Sequence, residues 1–515
     1  MTLEDFRKAP QKSEQNHPSY QASIFAATAP EYATGEVLLG SIYRNLLLNE
    51  PESTIDLDKL PSLAGKFPKD VGGEELWNIL LKQGAIGSPP PKRSPRQQLM
   101  PLVPEIARHA CVLGGMRSRW NPSNLLYETI GSGLGPRDGE TLLQELGGAL
   151  EVGIDDDIFA RFIEDSFKKI GGKPTFSPPY KTVRLDGRKQ SYVSGFRGKT
   201  GEVYNPAERF CRDLGVIISQ KKLLTRRQWT VLLEATVRIG LGMHLLWICQ
   251  VNAITWSWLL SIADGNLPPT ENEIENCLWQ AHRETSPLLQ LGGPAMPLIE
   301  QIIRKYAEAR FGINLVLHRL EDAGNGWTRV IGYSTEDGLP APVMVWRFLD
   351  HVYRNRGALD SDPATWLRQT CQELLEEHSD LIKLDSGFSK NMKEFARHSL
   401  GQIDARDLEQ KSYDQAYLFR NKNAAAKRET LQIVVPGPAM LIAMVNACCH
   451  DKAKHLASLE DLRIHFADYG LYAPAGELAG GQAGKDLQKL GLVVDSPDAA
   501  GGRLLVPPFD HITRS

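Results

Sequence analysis

The longest uncharged segment of the chain constrains its fold most strongly. It runs for 25 residues, from Ile239 to Ala263, without one Asp, Glu, Lys or Arg. A membrane-spanning helix needs about 20 predominantly apolar residues, so the segment is long enough to cross a bilayer. Polar residues interrupt it, among them His244, Gln250 and Asn252, and a single span in the middle of an otherwise polar chain is unusual. We therefore predict one or two fully buried helices at the centre of the largest core, without membrane contact.

The composition is that of a soluble globular protein. The 515 residues predict about three to four domains. Hydrophobic residues make up 42% and charged residues 23%, which excludes collagen-like, disordered and polytopic membrane proteins. The first 30 residues lack the apolar run of a secretory signal, and the seven cysteines are irregularly spaced. These features predict a cytoplasmic protein with reduced thiols.

Apolar residues recur at helical spacing along most of the chain, so we predict a mainly α, multidomain protein. An N-terminal helical region covers 1–86, and a proline-rich linker or surface loop covers 87–104. A helical main body covers 105–435 and contains a basic insertion at 168–227, in which 181–196 could form a β-hairpin. The C-terminal domain covers 436–515. Helices are predicted at 207–214, 225–262, 271–283, 295–311, 340–356, 362–380, 387–400 and 404–420.

Residues 436–509 resemble a winged helix-turn-helix domain. PGPAMLIAMVNACC is an apolar helix, and Ser458 begins a second helix that Gly470 ends. A third helix is predicted around Gly476 to Leu490. Two short predicted strands, 492–494 and 503–506, flank a loop in the position of the wing. The resemblance rests on this order of elements and implies a small α+β fold.

The winged-helix resemblance implies that the third helix enters a major groove and that the wing contacts the DNA backbone or minor groove. The DNA-contacting residues would then be Gln482, Lys485, Lys489 and Arg503. Against this, residues 436–515 hold 7 basic and 9 acidic residues, whereas Lys and Arg contacts to phosphate supply much of the affinity for DNA. A winged helix that docks a protein partner is an equal alternative.

Positive charge is concentrated in residues 168–227. This basic stretch holds 15 basic and 4 acidic residues, a net charge of +11, whereas the whole chain carries -3 and the other 455 residues carry -14. Interleaved tyrosines and phenylalanines could stack on unpaired bases. We predict a nucleic-acid partner, with DNA preferred to RNA; the alternative is a solvated basic face whose aromatic residues belong to the core. The predicted phosphate contacts are Lys181, Arg184, Arg188, Lys189, Arg197, Lys199, Lys221, Lys222, Arg226 and Arg227.

Sequence motifs of catalysis are missing. The chain has no Walker A phosphate loop, no Gly-x-Ser-x-Gly elbow and no His-Glu-x-x-His metal motif. The glycine-rich run from Gly131 to Pro136 fits a turn better than a nucleotide site. The run Asp155–Asp157 fits a helix N-terminal cap better than a metal site. We therefore predict no catalytic residue, metal ion or cofactor, although a non-local active site stays open.

Together these features favour a non-catalytic, nucleic-acid-binding subunit that works with separately encoded enzymes. A bacterial restriction, antiviral defense or mobile-element assembly is the expected setting, from the size of the chain, its charge layout and the missing motor motif. Two alternatives stay open. One is a protein-interaction scaffold whose winged helix docks a partner, and the other is an enzyme, such as a nuclease, with a non-local active site.

Overall fold

The computed structural model confirms that the protein is mainly α-helical. The residues that it describes are 38–43, 46, 86–88, 98–99, 102–104, 122–170, 205–280, 287–325, 341–377, 384, 387–401, 417–421, 432–451, 456–495 and 503–509. The hairpin predicted at 181–196 lies outside these residues, as does most of the helix predicted at 404–420.

The described elements are helices joined by very short strands. The helices are α1 (Leu38–Tyr43), α2 (Pro122–Leu150), α3 (Ile158–Ile170), α4 (Pro206–Ser219), α5 (Arg226–Ala263), α6 (Glu271–Gln280), α7 (Met296–Asp322), α8 (Ala341–Arg354), α9 (Pro363–Glu377), α10 (Gly387–Leu400), α11 (Pro438–Asp451), α12 (Leu459–Asp468), α13 (Ala475–Ala479) and α14 (Gln482–Lys489). The strands are β1 (Ile86–Ser88), β2 (Gln98–Leu99), β3 (Leu289–Gln290), β4 (Phe419–Asn421), β5 (Gln432–Val434), β6 (Leu471–Tyr472), β7 (Val493–Val494) and β8 (Leu504–Leu505). β3 pairs with β6 in parallel, whereas β1–β2, β4–β5 and β7–β8 are antiparallel pairs.

Helices predicted between residues 207 and 400 are present, and most of their ends differ by a few residues. The largest difference is α7, which continues to Asp322 although the prediction ends at 311. The C-terminal end of the helix predicted at 404–420 is instead strand β4.

α5 contains the uncharged segment and lies at the centre of the core. It is a single helix of 38 residues that begins with a capping box between Thr225 and Gln228. By length and composition α5 could cross a membrane, yet 94% of its most apolar 18-residue window is buried inside the protein. Helices α4, α7, α10 and α11 pack around it. The predicted segment is therefore one helix at the centre of the core, but it is not fully buried, because Ser257 near its C-terminal end is exposed.

The glycine-rich run at 131–136 is part of helix α2, so the turn predicted there is largely wrong. A Cβ atom on Gly133 would lie 2.6 Å from the carbonyl oxygen of Ala207, so glycine lets α2 pack closely against α4. The turn is reduced to one residue, Gly135, whose φ of 76° breaks the helical path. This run therefore serves helix packing.

Residues 438–509 form the element series that we call the C-terminal unit. Val493 pairs with Leu505 and Val494 with Leu504, and a further antiparallel bridge joins Ser458 to Leu504. The third helix, predicted as continuous, is divided into α13 and α14.

The hydrophobic core is continuous from the N-terminal described residues to the C-terminal unit. Glu234 of α5 is buried and accepts hydrogen bonds from the backbone N–H groups of Leu38 and Leu39 at 3.0 and 2.8 Å. At the other end, β3 pairs with β6, and α11 packs against α4 and α5. The boundary predicted at residue 436 therefore does not coincide with a break in the core.

Candidate nucleic-acid interface

Helix α14 carries three predicted DNA contacts on its exposed face. Gln482, Lys485 and Lys489 are exposed, whereas Ala483 and Leu487 on the opposite face are buried. Residues three and four positions apart lie on the same side of a helix, so the three side chains follow one line. The structure thus brings these three residues onto one surface.

A buried carboxylate, Asp486, lies beneath this surface and offsets its positive charge. Gln482 Nε2 donates to Asp486 Oδ1 at 3.0 Å, and Lys489 Nζ lies 3.9 Å from the same oxygen. Arg420 Nη2, on β4, lies 3.1 Å from Asp486 Oδ2. Asp486 therefore ties α14 to β4 and holds the side chain of Gln482.

Arg503, the predicted wing contact, is bonded within the C-terminal unit. Its Nε donates to Asp495 Oδ1 at 2.7 Å, and its Nη1 donates to the Ala479 carbonyl at 2.5 Å. With its amide oxygen turned toward the guanidinium, Gln488 accepts from the two Nη atoms at 3.0 and 2.9 Å. Arg503 therefore links the β7–β8 strand pair to both α13 and α14.

The basic stretch is described only in part. Outside the described residues lie the predicted contacts Lys181, Arg184, Arg188, Lys189, Arg197 and Lys199. The structure therefore describes four of the predicted contacts, which are Lys221, Lys222, Arg226 and Arg227.

Arg226 lies in the interior and is fully engaged there. Its guanidinium donates to the carbonyls of Leu102 and Ala149, both at 3.0 Å, and to the Tyr43 hydroxyl at 2.9 Å. It also lies 3.3 Å from Asp156. With only 1% of its surface exposed, Arg226 joins the first helices to α5 and has no surface left for a phosphate.

Lys222 and Arg227 are the exposed residues among these four. Lys222 keeps 74% of its side chain exposed and pairs with Asp155 at 2.9 Å, and Arg227 lies on the exposed side of the first turn of α5. Lys221 pairs with Asp156 at 3.0 Å, and burial lowers its pKa. This part of the basic stretch therefore presents a small cationic surface beside acidic neighbours.

Of the carboxylate run Asp155–Asp157, predicted to cap a helix, Asp157 caps α3, whereas Asp155 and Asp156 pair with Lys222 and Lys221. Asp157 Oδ1 accepts from the N–H of Ala160 at 2.8 Å, which satisfies a free donor of the first turn. Within the described ranges, no group of three or more His, Cys, Asp or Glu side chains is arranged to hold a metal ion.

A buried cluster that the sequence analysis missed joins the C-terminal unit to α4. Asp213 accepts hydrogen bonds from Arg209 Nε at 2.8 Å and Tyr469 Oη at 2.8 Å, and it lies 2.9 Å from His465 Nε2. Arg209 Nη1 also lies 2.5 Å from Asp451 at the end of α11. Burial alone would raise the pKa of Asp213, but Arg209 and His465 outweigh it and hold that pKa below its usual range.

A second buried contact lies at the other end of α4. Gln220 and Asn446 exchange two amide hydrogen bonds, at 3.0 and 2.6 Å. The two residues are 226 positions apart, so no local pattern could have paired them. The polar contacts of α4 thus hold the C-terminal unit in one position against the body.

No family model, no curated protein and no solved structure matches this chain.

Proposed function

We propose that this chain is a non-catalytic DNA-binding subunit whose C-terminal unit is a winged helix. The order of α11, α12, α13 with α14, β7 and β8 supports a winged helix, and a single antiparallel bridge joins Ser458, the residue before α12, to Leu504 of β8. The observation that carries the proposal is the exposed line of Gln482, Lys485 and Lys489 on the helix that would enter a groove.

The affinity in this proposal comes mainly from the basic stretch. Near α14 and the wing, Asp486 and Asp495 each lie beside a cation, so this surface contributes little net positive charge. Residues 168–227 carry +11, and their lysines and arginines would neutralise phosphates and release counterions. The basic stretch would therefore bind the backbone, and α14 would orient the C-terminal unit on the bases.

The position of helix α4 supports binding of the basic stretch and the C-terminal unit to the same DNA duplex. The part of the basic stretch at 171–204 holds 7 basic and 2 acidic residues, and the described chain resumes at Asn205, which caps α4. α4 is in turn bonded to α11 and α12 through Arg209, Asp213 and Gln220. The basic stretch is therefore attached to the helix that holds the C-terminal unit.

Binding of the full chain to a labelled DNA duplex across a salt series tests the proposal. Neutralising six phosphates gives a slope of log affinity against log salt of about -5. We expect the double substitution of Arg188→Glu and Lys189→Glu to weaken binding at least about 100-fold and to lower this slope by about 2. The matched control is Arg304→Glu with Lys305→Glu, on the exposed side of α7, which changes the net charge equally and should alter affinity by less than about threefold.

Three results would overturn the proposal or part of it. Binding that is micromolar or weaker and lacks a salt slope would exclude a phosphate-binding site. An equal loss of affinity in the control variant would indicate attraction to net charge and no defined surface. Cleavage of the probe on addition of a divalent metal would contradict a non-catalytic role and favour a nuclease.

The setting that we propose is a multi-protein assembly in which separately encoded enzymes act on the DNA that this subunit holds, as in a bacterial restriction, antiviral defense or mobile-element system. Copurification of tagged full chain with the products of neighbouring genes tests this part. Recovery of the chain alone, with its DNA affinity intact, would contradict membership of an assembly.

Two observations favour the second candidate function, a winged helix that docks a protein. The C-terminal unit is slightly acidic, and the guanidinium of its wing residue Arg503 is bonded internally. Lys485→Glu with Lys489→Glu separates the two functions. A loss of DNA affinity of about tenfold or more supports groove binding, whereas unchanged affinity would assign α14 to a protein partner.

A further inference from the structure

Gln482 is the first residue of helix α14. It follows Gly481, the N-cap of this helix, and its side chain is exposed. When a helix of a helix-turn-helix protein enters a major groove, the residues at its N-terminal end contact the base edges. In the proposed DNA complex, Gln482 is therefore the residue of α14 that is best placed to contact a base.

Asp486 holds the side-chain amide of Gln482 in one orientation. Gln482 Nε2 donates to Asp486 Oδ1 at 3.0 Å, across one turn of α14. A carboxylate accepts hydrogen bonds and has none to donate, so an amide turned the other way would set its oxygen against another acceptor. The nitrogen of the amide therefore stays on the side of Asp486.

Asp486 is itself held in place by the body of the protein. It is buried, with 8% of its surface exposed, and its Oδ2 lies 3.1 Å from Arg420 Nη2. The same nitrogen of Arg420 donates to the carbonyl of Pro436 at 3.2 Å, and Arg420 belongs to β4, which pairs with β5. The orientation of the Gln482 amide is thus set before any ligand binds, by contacts that reach a paired strand.

One N–H group and the oxygen of the Gln482 amide remain available to a ligand. Among the described residues, neither group makes a hydrogen bond. Adenine presents one acceptor, N7, and one donor, the N6 amino group, to the major groove, and an amide can bind both at once. The available groups of Gln482 match this pair.

Guanine does not match the amide as Asp486 holds it. In the major groove guanine presents two acceptors, N7 and O6, so binding both requires two donors. Because Asp486 already accepts from one N–H group of Gln482, the amide oxygen would face one of these two acceptors. Two acceptors in contact repel each other, so guanine should be rejected.

We propose, on the basis of the DNA-binding function proposed above, that Gln482 reads an adenine in the major groove. Gln482 Nε2 donates to adenine N7, and Gln482 Oε1 accepts from adenine N6. Asp486 contacts no base in this arrangement and acts through Gln482, so it is a positioning residue. The ligand of the C-terminal unit is thus duplex DNA with an A·T pair at one defined position.

Selection of duplexes from a library with a randomised segment tests this assignment. The full chain is the bait, and the bound duplexes are sequenced. At one position adenine should be preferred to guanine by about tenfold or more, and Gln482→Ala should remove this preference while the other positions keep theirs. The matched control is Gln301→Ala, which changes an exposed glutamine of α7 and should select the same sequences as the wild type.

A base analogue tests the contact without a change in the protein. In the selected duplex, 7-deazaadenine lacks the N7 acceptor and should weaken binding by the wild-type chain about tenfold. The same analogue should not weaken binding by Gln482→Ala further, because that variant has already lost the contact.

Asp486→Asn tests the positioning role. Asparagine has nearly the same volume but offers a donor as well as an acceptor, so the Gln482 amide can turn over and present two N–H groups to guanine. The preference for adenine over guanine should then fall below about threefold, with little change in affinity for the adenine duplex. A purely structural role for Asp486 would instead weaken binding to all sequences equally, and circular dichroism shows whether each variant is folded.

The outcomes separate this inference from the function on which it rests. Salt-dependent DNA binding in which no base preference depends on Gln482 would overturn the inference and leave the DNA-binding function in place. An equal loss of affinity for all sequences in Gln482→Ala would also overturn it, because the contact with Asp486 would then only support the helix. DNA binding that is micromolar or weaker and lacks a salt slope would overturn the DNA-binding function as well.

Discussion

Gln220 and Asn446 exchange two hydrogen bonds where α4 meets α11, and both side chains are buried, with exposures of 3% and 0%. Removing one amide leaves a donor and an acceptor of the other amide unpaired. Each buried unpaired group costs about 1–3 kcal/mol. Gln220→Met or Asn446→Leu alone should therefore lower the free energy of unfolding by about 2–5 kcal/mol.

The double variant should lose less free energy of unfolding than either single variant. With both amides replaced by apolar groups of similar volume, no buried polar atom of the pair is left unsatisfied, and the loss should be about 0–1.5 kcal/mol. The coupling energy in the double-mutant cycle is then about 3 kcal/mol or more in favour of the pair.

Urea unfolding followed by circular dichroism measures the four free energies of this cycle. Gln301→Met, at an exposed position of α7, is the control and should change the free energy of unfolding by less than about 0.5 kcal/mol. Additive losses in the double variant would refute the reasoning, because they would mean that the two amides do not meet. The C-terminal unit would then not be held on α4 in the observed position.

Three further predictions concern buried groups. Both ring nitrogens of His244 are buried without a hydrogen-bond partner among the described residues, and burial lowers its pKa to about 3. The imidazole of His244 takes up a proton near pH 6.5 in the unfolded chain but only near pH 3 in the folded chain, so the free energy of unfolding falls as the pH drops from 6.5 to 3. His244→Leu should remove this contribution to the pH dependence of stability, as measured by urea unfolding at several pH values. Asp213 has a lowered pKa in the folded chain, so its contribution to the free energy of unfolding is present above about pH 4 and is lost as the pH falls further. Asp213→Asn should thus cost about 3 kcal/mol at pH 7 and less in acid, and parallel pH–stability curves for variant and wild type would contradict this. Gly240→Ala should lower the free energy of unfolding by about 1–3 kcal/mol, because its Cβ would lie 2.2 Å from the Phe210 ring; an unchanged thermal midpoint would show that the ring moves aside without cost.

Features that depend on neighbours in sequence were predictable. The cap at Ser458 is confirmed, since its hydroxyl accepts from Asp461 N at 3.2 Å and Asp461 Oδ2 accepts from Ser458 N at 2.9 Å. α5 was predictable because an uncharged run of this length has few other ways to avoid water. Both signals lie within a few turns of one helix, where spacing along the chain is also spacing in the structure.

The third helix of the C-terminal unit shows where local patterns fail. The prediction of one helix is wrong because the chain breaks at Gly480 and Gly481, between α13 and α14. A Cβ on Gly481 would lie 2.7 Å from the Cα atom of Glu477, so a side chain at this position would require the backbone to shift. Helix propensity assigns glycine a cost of only about 1 kcal/mol relative to alanine, and it takes no account of the contact between residues 477 and 481.

The candidate interface was predictable as a set of charges but not as a surface. Arg226 and Lys222 count equally in the net charge of the basic stretch, yet Arg226 is buried among carbonyl groups and Lys222 is exposed. Which of them faces water depends on residues such as Leu102 and Ala149, which are far from them in sequence. The exposed line on α14 was predictable, because helical spacing alone aligns Gln482 with the two lysines.

The sequence by itself determined that the protein is mainly helical, that the uncharged segment at 239–263 belongs to a core helix, and that a net charge of +11 is concentrated in 60 residues while the rest carries -14. Only the tertiary structure decided which cations reach the surface and where the C-terminal unit sits. The physical reason is that a buried charge or amide is stable only beside its partner. Two partners of Asp213, His465 and Tyr469, lie more than 200 residues further along the chain, as does Asn446, the partner of Gln220.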